Sequence, residues 1–399
     1  MPWINQTTTE QKLSLVLAIL SRREPVAVLC RRFKVSRQSA YKYLRRFKQH
    51  GRNGLLECSR RPGGSATESP WLRRLLSLRK RRPTWGARKL RWWMKQRWPR
   101  RRLPSERTLQ RWLQRAGLTR QHTRKRTGPG PHCGAPCCAR RSNDVWTVDF
   151  KGWYRSVDGH KIEPLTVRDL HSRYLLAVTA VPNAGEAPVR RVFKRLFQHY
   201  GYPRAIRADR GVPFCSVGPL NLTRLSLWWH RLGIKVEFVD RSRRIDNNAH
   251  EQMHRVLQAE VVKIPGDGFL SQLRQLNTWR HYYNHQRPHQ SLGDRTPASC
   301  YHPKKSAPPP LILPSYPPNY TVRRVGNRGL IRLGRETYFI SKVFCGLPLG
   351  LLPSGTSTYT IFFDGLRLGA LHLDTHRFIP ASPATNPPDE REGADAPSL

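Results

Sequence analysis

The sequence predicts a multidomain chain: helical modules at the amino terminus, an α/β core in the middle, and a small all-β barrel at the carboxy terminus. Three patterns lead there. Through residues 10–115, apolar side chains recur at the three- and four-residue spacing of helices, with Ser or Pro at several starts. Between about 145 and 260, apolar runs of strand length alternate with helical stretches. After a Pro-rich segment, residues 320–378 carry short alternating runs broken by Gly turns.

Charge narrows the partner. The chain holds 72 Lys+Arg against 26 Asp+Glu, a formal net charge of +46 over 399 residues. A charge that large repels itself unless a polyanion neutralises it, and nucleic acid is the usual one. Residues 1–142 alone hold 37 Lys+Arg and 5 Asp+Glu, so the excess is concentrated in the first third. The longest apolar run, Leu13 to Leu20 with one Ser, is too short to span a bilayer. It follows Glu10 and Lys12 rather than a signal-peptide pattern, so a soluble, cytosolic protein with no membrane partner is expected. The eight cysteines include one cluster, Cys133, Cys137 and Cys138 beside His132, without the paired Cys-x-x-Cys spacing of a zinc site. They read as reduced thiols in a linker.

The first module occupies 1–60. Residues 10–21 and 25–33 are apolar-periodic, and Lys34-Val35 turns the chain to Ser36, an N-cap for the helix beginning Arg37-Gln38-Ser39-Ala40. Helix, tight turn and capped helix make the helix-turn-helix outline, whose second helix enters the major groove. Ala40, Leu44 and Phe47 form its buried stripe, leaving Arg37, Gln38, Ser39, Lys42 and Arg45 outward as candidate DNA contacts. After the turn-rich Arg60 to Ser65, the pattern repeats over 66–120: helices at Trp71 to Lys80 and Trp85 to Arg97, then Ser105 capping a helix to Leu113. Arg107 and Arg111 are its candidate DNA contacts, beside Gln110 and Gln114. Residues 121–142 read as a basic linker.

The core spans 143–301. Strand-like runs lie near 145–154, 161–168, 174–181, 204–209 and 234–239, with helices at Ala187 to Tyr200 and about 220–232. Three strands, helix, strand, helix, strand, helix is the order of the ribonuclease-H-like fold, in which the first and fourth strands are neighbours. Three carboxylates stand out. Asp149 lies in the alternating run Trp146 to Gly152, on the face opposite Trp146, Val148 and Phe150. Asp209 ends the strand Arg204 to Asp209, just before Arg210-Gly211. Glu251 is expected to open a helix after Asp246-Asn247-Asn248, which could cap it. At about 100° per residue, Met253, Val256, Leu257 and Val261 take one side of that helix while Glu251, Arg255 and Gln258 take the other. Three such carboxylates can converge on two divalent cations, the hardware for in-line attack at phosphate. Hard oxygen donors suit Mg²⁺, with Mn²⁺ as a substitute.

These segments resemble the integrase catalytic core of insertion-sequence transposases, which share that core with retroviral integrases. The resemblance rests on Asn143 to Gly152, Asp169 to Tyr174, Asp209 to Phe214, Asn247 to Arg255, and Tyr283 to Leu292 closed by Thr296-Pro297. It implies a bacterial, nucleoid-associated DNA transposase whose Asp149, Asp209 and Glu251 are catalytic and hold the metal, acting on double-stranded element ends and target as a homo-oligomer. The sequence departs from the family pattern at Arg210, at Asn248 and at Gln252, none of them a metal ligand. Two other classes stay open at this point, a non-catalytic DNA-binding regulator and a ribonuclease-H-like nuclease without strand transfer. Beyond a Pro-rich linker at 302–318 the barrel would occupy 319–380, and 381–399 reads as disordered.

Overall fold

In the computed structural model the described residues are 7–57, 69–119, 139–239, 244–303 and 309–381. The Cys133–Cys138 cluster, most of the basic linker and nearly all of the acidic tail lie outside them. The chain forms two compact units, 1–69 and 70–399.

The first unit holds helices α1 (Thr8–Leu20), α2 (Val26–Arg32) and α3 (Arg37–His50). Each start has a local cause. Thr7 and Glu10 form a capping box on α1, and the Ser36 hydroxyl accepts from the Ser39 N–H at the start of α3. Leu15, Ile19, Leu29, Cys30 and Ala40 make the core where the three helices meet, with Leu44 packed half-buried against it.

The second unit begins with another three-helix module: α4 (Pro70–Arg81), α5 (Ala87–Arg97) and α6 (Glu106–Arg115). The Ser105 hydroxyl caps α6 through the Thr108 N–H, as expected from its sequence. Leu75, Leu90, Met94, Leu109 and Trp112 pack around the fully buried Trp85.

A six-stranded mixed sheet follows, built from β1 (Val145–Phe150), β2 (Tyr154–Arg155), β3 (Lys161–Asp169), β4 (Leu175–Val181), β5 (Ala205–Ala208) and β6 (Lys235–Phe238). The order runs β4-β3-β1-β5-β6, with the short β2 pairing the beginning of β3. β1 pairs antiparallel with β3 and parallel with β5, so the first and fourth long strands are neighbours, as the ribonuclease-H-like order requires. The run expected as one strand over 145–154 breaks after Phe150, where Gly152 takes φ +86°. Helices α7 (Glu186–Tyr200) and α8 (Arg224–Arg231) cover one face, burying Phe193, Phe197 and Trp229 against Trp146, Val148, Leu165 and Val167. α9 (Arg244–Leu257), extended by a π turn over Gln258–Val262, and α10 (Phe269–His285) cover the other. There Met253, Leu257 and Val261 meet Ile162 and Val178, the helix stripe read from the sequence. One expectation fails. α9 begins at Arg244, so Asp246 to Asn248 lie inside it and cannot be its cap, and Glu251 sits in its second turn.

The α4–α6 module is bolted to α10 and the π turn. Trp85 Nε1 donates to the Tyr282 hydroxyl at 2.6 Å, and the two rings stack. Arg88 reaches both carboxylate oxygens of Asp294, at 2.9–3.0 Å. Glu260, on the π turn, accepts from Arg287 Nη1 at 2.8 Å, from Trp279 Nε1 at 2.7 Å and from the Thr84 hydroxyl. Arg287 is buried and Glu260 half-buried, at 3% and 12% side-chain exposure. Removing one partner of such a pair strands the other charge, so Arg287→Ala is expected to cost about 3–5 kcal/mol of stability. Chemical denaturation checks this, and a loss below about 1 kcal/mol would show that the pair is solvated in solution.

The C-terminal region is all-β: β7 (Thr321–Arg324), β8 (Leu330–Leu333), β9 (Glu336–Phe339), β10 (Pro348–Gly355), β11 (Thr358–Phe363), β12 (Leu366–His372) and β13 (Arg377–Pro380). β13-β12-β11-β10-β7 form an open antiparallel sheet and β8-β9 a separate hairpin, so strand pairing does not close the expected barrel. Both sheets share one core, which also takes in Leu222 and Leu227 beside and on α8. Gly350 is required at its position because the Tyr316 ring lies where a Cβ would stand, 2.3 Å away. Among the described residues no helix is long and apolar enough to cross a membrane.

Candidate active site

Asp149 and Asp209 reach neighbouring places by strand register. Val148 and Ala208 are the last bonded pair of β1 and β5, and each aspartate is the next residue along. Parallel neighbours run about 4.8 Å apart, so both carboxylates belong to one end of the sheet. Asp149 is 17% exposed at its side chain, and Asp209 is half-buried. A Cβ on Gly211 would come within 3.0 Å of Asp209 Oδ2, so glycine there leaves the carboxylate its place. Glu251 is exposed on α9, the helix that crosses this face of the sheet.

Two histidines that the sequence pattern did not single out pack α9 onto the strands. His250 is fully buried and His254 9% exposed. His250 bridges the hydroxyls of Thr147 (3.0 Å) and Thr166 (2.7 Å). His254 Nε2 lies 2.9 Å from the same Thr166 hydroxyl, and its Nδ1 lies 3.8 Å from Asp149 Oδ2. Burial drives both pKa values down. His254 falls to about 3, with the positive charges of Lys151 and Arg168 adding to the effect. Both rings are therefore neutral near pH 7. The donor atoms of Asp149, His250 and His254 all lie within 4.8 Å of one another, and this is the group of possible metal ligands found among the described residues. Asp209 and Glu251 are not part of it. The signal was visible: His250 and His254 stand four apart on the stripe of Met253 and Leu257, which marks them as sheet-facing.

The donor set fits a divalent cation. Asp149 and Asp209 offer hard oxygens at one sheet end, and the neutral ring of His254 adds no opposing charge. A groove of about 920 Å³ between the α4–α6 module and α9 reaches as far as His254 and Lys151. Its lining includes Arg79, Lys89, Lys151, Arg255, Lys263 and Arg287, with Gln110 from α6 and Gln252 from α9. Burial, then repulsion from Arg287, lowers the Lys89 pKa to about 8. A wall so rich in cations, running from the α4–α6 module to His254 beside Asp149, suits a phosphodiester backbone.

The other sequence candidates lie on two helices. Arg37, Gln38, Lys42 and Arg45 are exposed on α3, whereas Ser39 is half-buried and its hydroxyl is engaged by Ser36 at 3.0 Å. Arg107 and Arg111 are exposed on α6.

Sheet order, strand-end aspartates and covering helix together define an integrase-type core. Comparison with known families agrees: residues 139–243 and 232–297 each match the integrase core domain, and residues 11–63 match a helix-turn-helix domain. The chain is 26% identical over 184 residues to the insertion element IS407 uncharacterized 31.7 kDa protein of Burkholderia multivorans, covering 46% of this chain and 64% of that protein. It is 28% identical over 157 residues to the insertion element IS476 uncharacterized 39.2 kDa protein of Xanthomonas euvesicatoria, covering 39% and 43%. The matches thus span less than two thirds of either relative. The chain thus carries an integrase core domain behind a helix-turn-helix domain, and its core is similar to proteins of insertion elements. The magnesium-bound HTLV-2 integrase catalytic core domain superposes with a TM-score of 0.33 at 14% identity, over 41% of this chain and 100% of that one. That superposition is too loose to speak to activity.

Proposed function

We propose that this protein is a DNA transposase that binds the ends of an insertion sequence, cuts them and joins them to target DNA, with Asp149, Asp209 and Glu251 as its catalytic, metal-holding carboxylates. The observation that carries this reading is the register that sets Asp149 and Asp209 side by side at one sheet end, beneath the helix bearing Glu251. Divalent cations held there, Mg²⁺ or Mn²⁺, would supply Lewis acidity to the phosphate and ease deprotonation of the attacking hydroxyl. The protein's own residues do the rest. Strand pairing holds the backbone up to the residue before each aspartate, Val148 and Ala208. Thr147, Thr166 and the two histidines pin α9, the helix that carries Glu251, against the sheet. Lys151, Arg255 and Lys263 along the groove would hold the backbone so that one phosphate meets the carboxylates. One such site must serve two element ends and a target, so the working form is a homo-oligomer on double-stranded DNA. The C-terminal β-domain would supply subunit or DNA contacts. A strand-transfer assay using the element's own terminal repeats tests the proposal; specific end binding with neither cleavage nor joining in either metal would leave a regulator instead.

End recognition is assigned to the exposed residues of α3, with Ser39 as part of that helix start, and to Arg107 and Arg111 on α6. Arg37→Ala and Gln38→Ala are each expected to weaken binding to the element's end by roughly 1–3 kcal/mol, the worth of one good base-edge contact. Random duplex should be affected much less. Fluorescence anisotropy on both duplexes at fixed salt measures the difference, and equal losses on both would reduce α3 to a phosphate clamp.

A further inference from the structure

We propose that the cation site beside Asp149 includes one imidazole ligand, His254 Nδ1, and that this core therefore takes a first-row transition ion such as manganese or cobalt in preference to magnesium. The inference rests on the reading of Asp149 as a metal-holding carboxylate, and goes past it by naming a nitrogen donor.

The assignment follows from counting protons on the Thr166 hydroxyl. That hydroxyl has one. It lies 2.9 Å from the backbone carbonyl of Asp149, which can only accept, so the proton goes there. Its two other neighbours are ring nitrogens, His250 Nε2 at 2.7 Å and His254 Nε2 at 2.9 Å. Both must therefore carry the proton of their contact. A neutral imidazole protonated at Nε2 has its lone pair on Nδ1. In His250 that lone pair meets the Thr147 hydroxyl at 3.0 Å, so both of its nitrogens are spent on the strands. In His254 it faces Asp149 Oδ2 at 3.8 Å. With Nε2 held by Thr166, Nδ1 is the ring atom placed to share a cation with that carboxylate.

The geometry is fixed and of the right size. His254 is buried against β3 and held by Thr166, so its donor atom cannot swing away without breaking that bond. Donors each about 2.1 Å from one ion stand roughly 3–4 Å apart, and the Nδ1–Oδ2 separation falls within that span. Thr166 acts on the imidazole as an orienting partner does in established metal sites, fixing tautomer and ring plane. An imidazole nitrogen is a borderline donor that magnesium takes reluctantly, whereas first-row transition ions bind it well.

The test uses the full chain loaded with Mn²⁺ and electron spin-echo envelope modulation, once with natural nitrogen and once with ¹⁵N-histidine. A nitrogen modulation that changes with the label is expected, retained in His250→Gln and lost in His254→Gln. Titration calorimetry should show Mn²⁺ and Co²⁺ affinity falling about 10–100-fold in His254→Gln, with Mg²⁺ affinity changing less. A wild-type sample that binds Mn²⁺ through Asp149 yet shows no nitrogen coupling overturns the imidazole ligand and leaves the transposase reading standing. Coupling that survives in His254→Gln overturns the ligand in the same way. Mn²⁺ binding that ignores Asp149→Asn overturns both.

Discussion

Asp149→Asn, Asp209→Asn and Glu251→Gln are each expected to lower end cleavage and strand transfer by at least roughly 10²–10³-fold, the cost of losing one preorganised charge-stabilising group. Binding to element ends should stay nearly intact. Each substitution keeps the side chain's shape and removes only its charge, so the fold has little to lose. Asp149 and Asp209 sit at strand ends whose backbone pairing does not depend on the carboxylates, and Glu251 is exposed on α9. Single-turnover cleavage of a labelled end, beside anisotropy on the same duplex, separates the two effects. Near-wild-type turnover by any one variant would remove that residue from the site. Glu251 is the most exacting of the three cases, because a solvent-facing glutamate with no role would give no change at all.

Trp85→Ala is expected to cost about 3–5 kcal/mol, the usual loss on deleting a large buried aromatic. Trp85 is fully buried, anchors the core of the α4–α6 module and donates to Tyr282 across the seam with α10. Trp85→Phe keeps most of the volume and drops the indole hydrogen bond, so its loss should be nearer 1 kcal/mol. Because a chain with several packed layers need not unfold in one step, amide exchange resolved over α4–α6 and α10 is the better measurement. Faster exchange in both regions for Trp85→Ala is expected. Acceleration confined to α4–α6 would mean that the seam with α10 carries none of the module's stability.

What the sequence disclosed was whatever depends on local spacing. The start of α3 and the start of α6 are each written in one serine, because a hydroxyl three residues before a free N–H caps it wherever the helix lies. The apolar stripe of α9 was equally plain. Asp246 to Asn248 look like a cap from sequence, yet the helix already runs from Arg244. The adjacency of Asp149 and Asp209 followed from strand order, not from any property of the two residues. Strand pairing over more than fifty positions is invisible to periodicity. The same blindness hid Thr147 and Thr166, which matter only because a helix some eighty or more residues away brings two imidazoles to them. Nothing local marks Glu260, whose three donors come from α10, from beyond it and from the module at the front of the unit. Strand content at the C-terminus could be read, whereas sheet closure could not, since alternation does not say whether β7 and β13 meet.

The seam at Trp85, Arg88 and Glu260 has a geometric consequence for the proposed reaction. It joins α6 and the strand-end aspartates into one compact body, so the path from a duplex gripped by α6 to the carboxylates is a fixed length of protein. In the proposed reaction this body would work as a gauge. The number of base pairs between the recognised sequence and the severed bond is then set by side-chain packing, and an element end with one pair inserted between them would be cut one pair out of place.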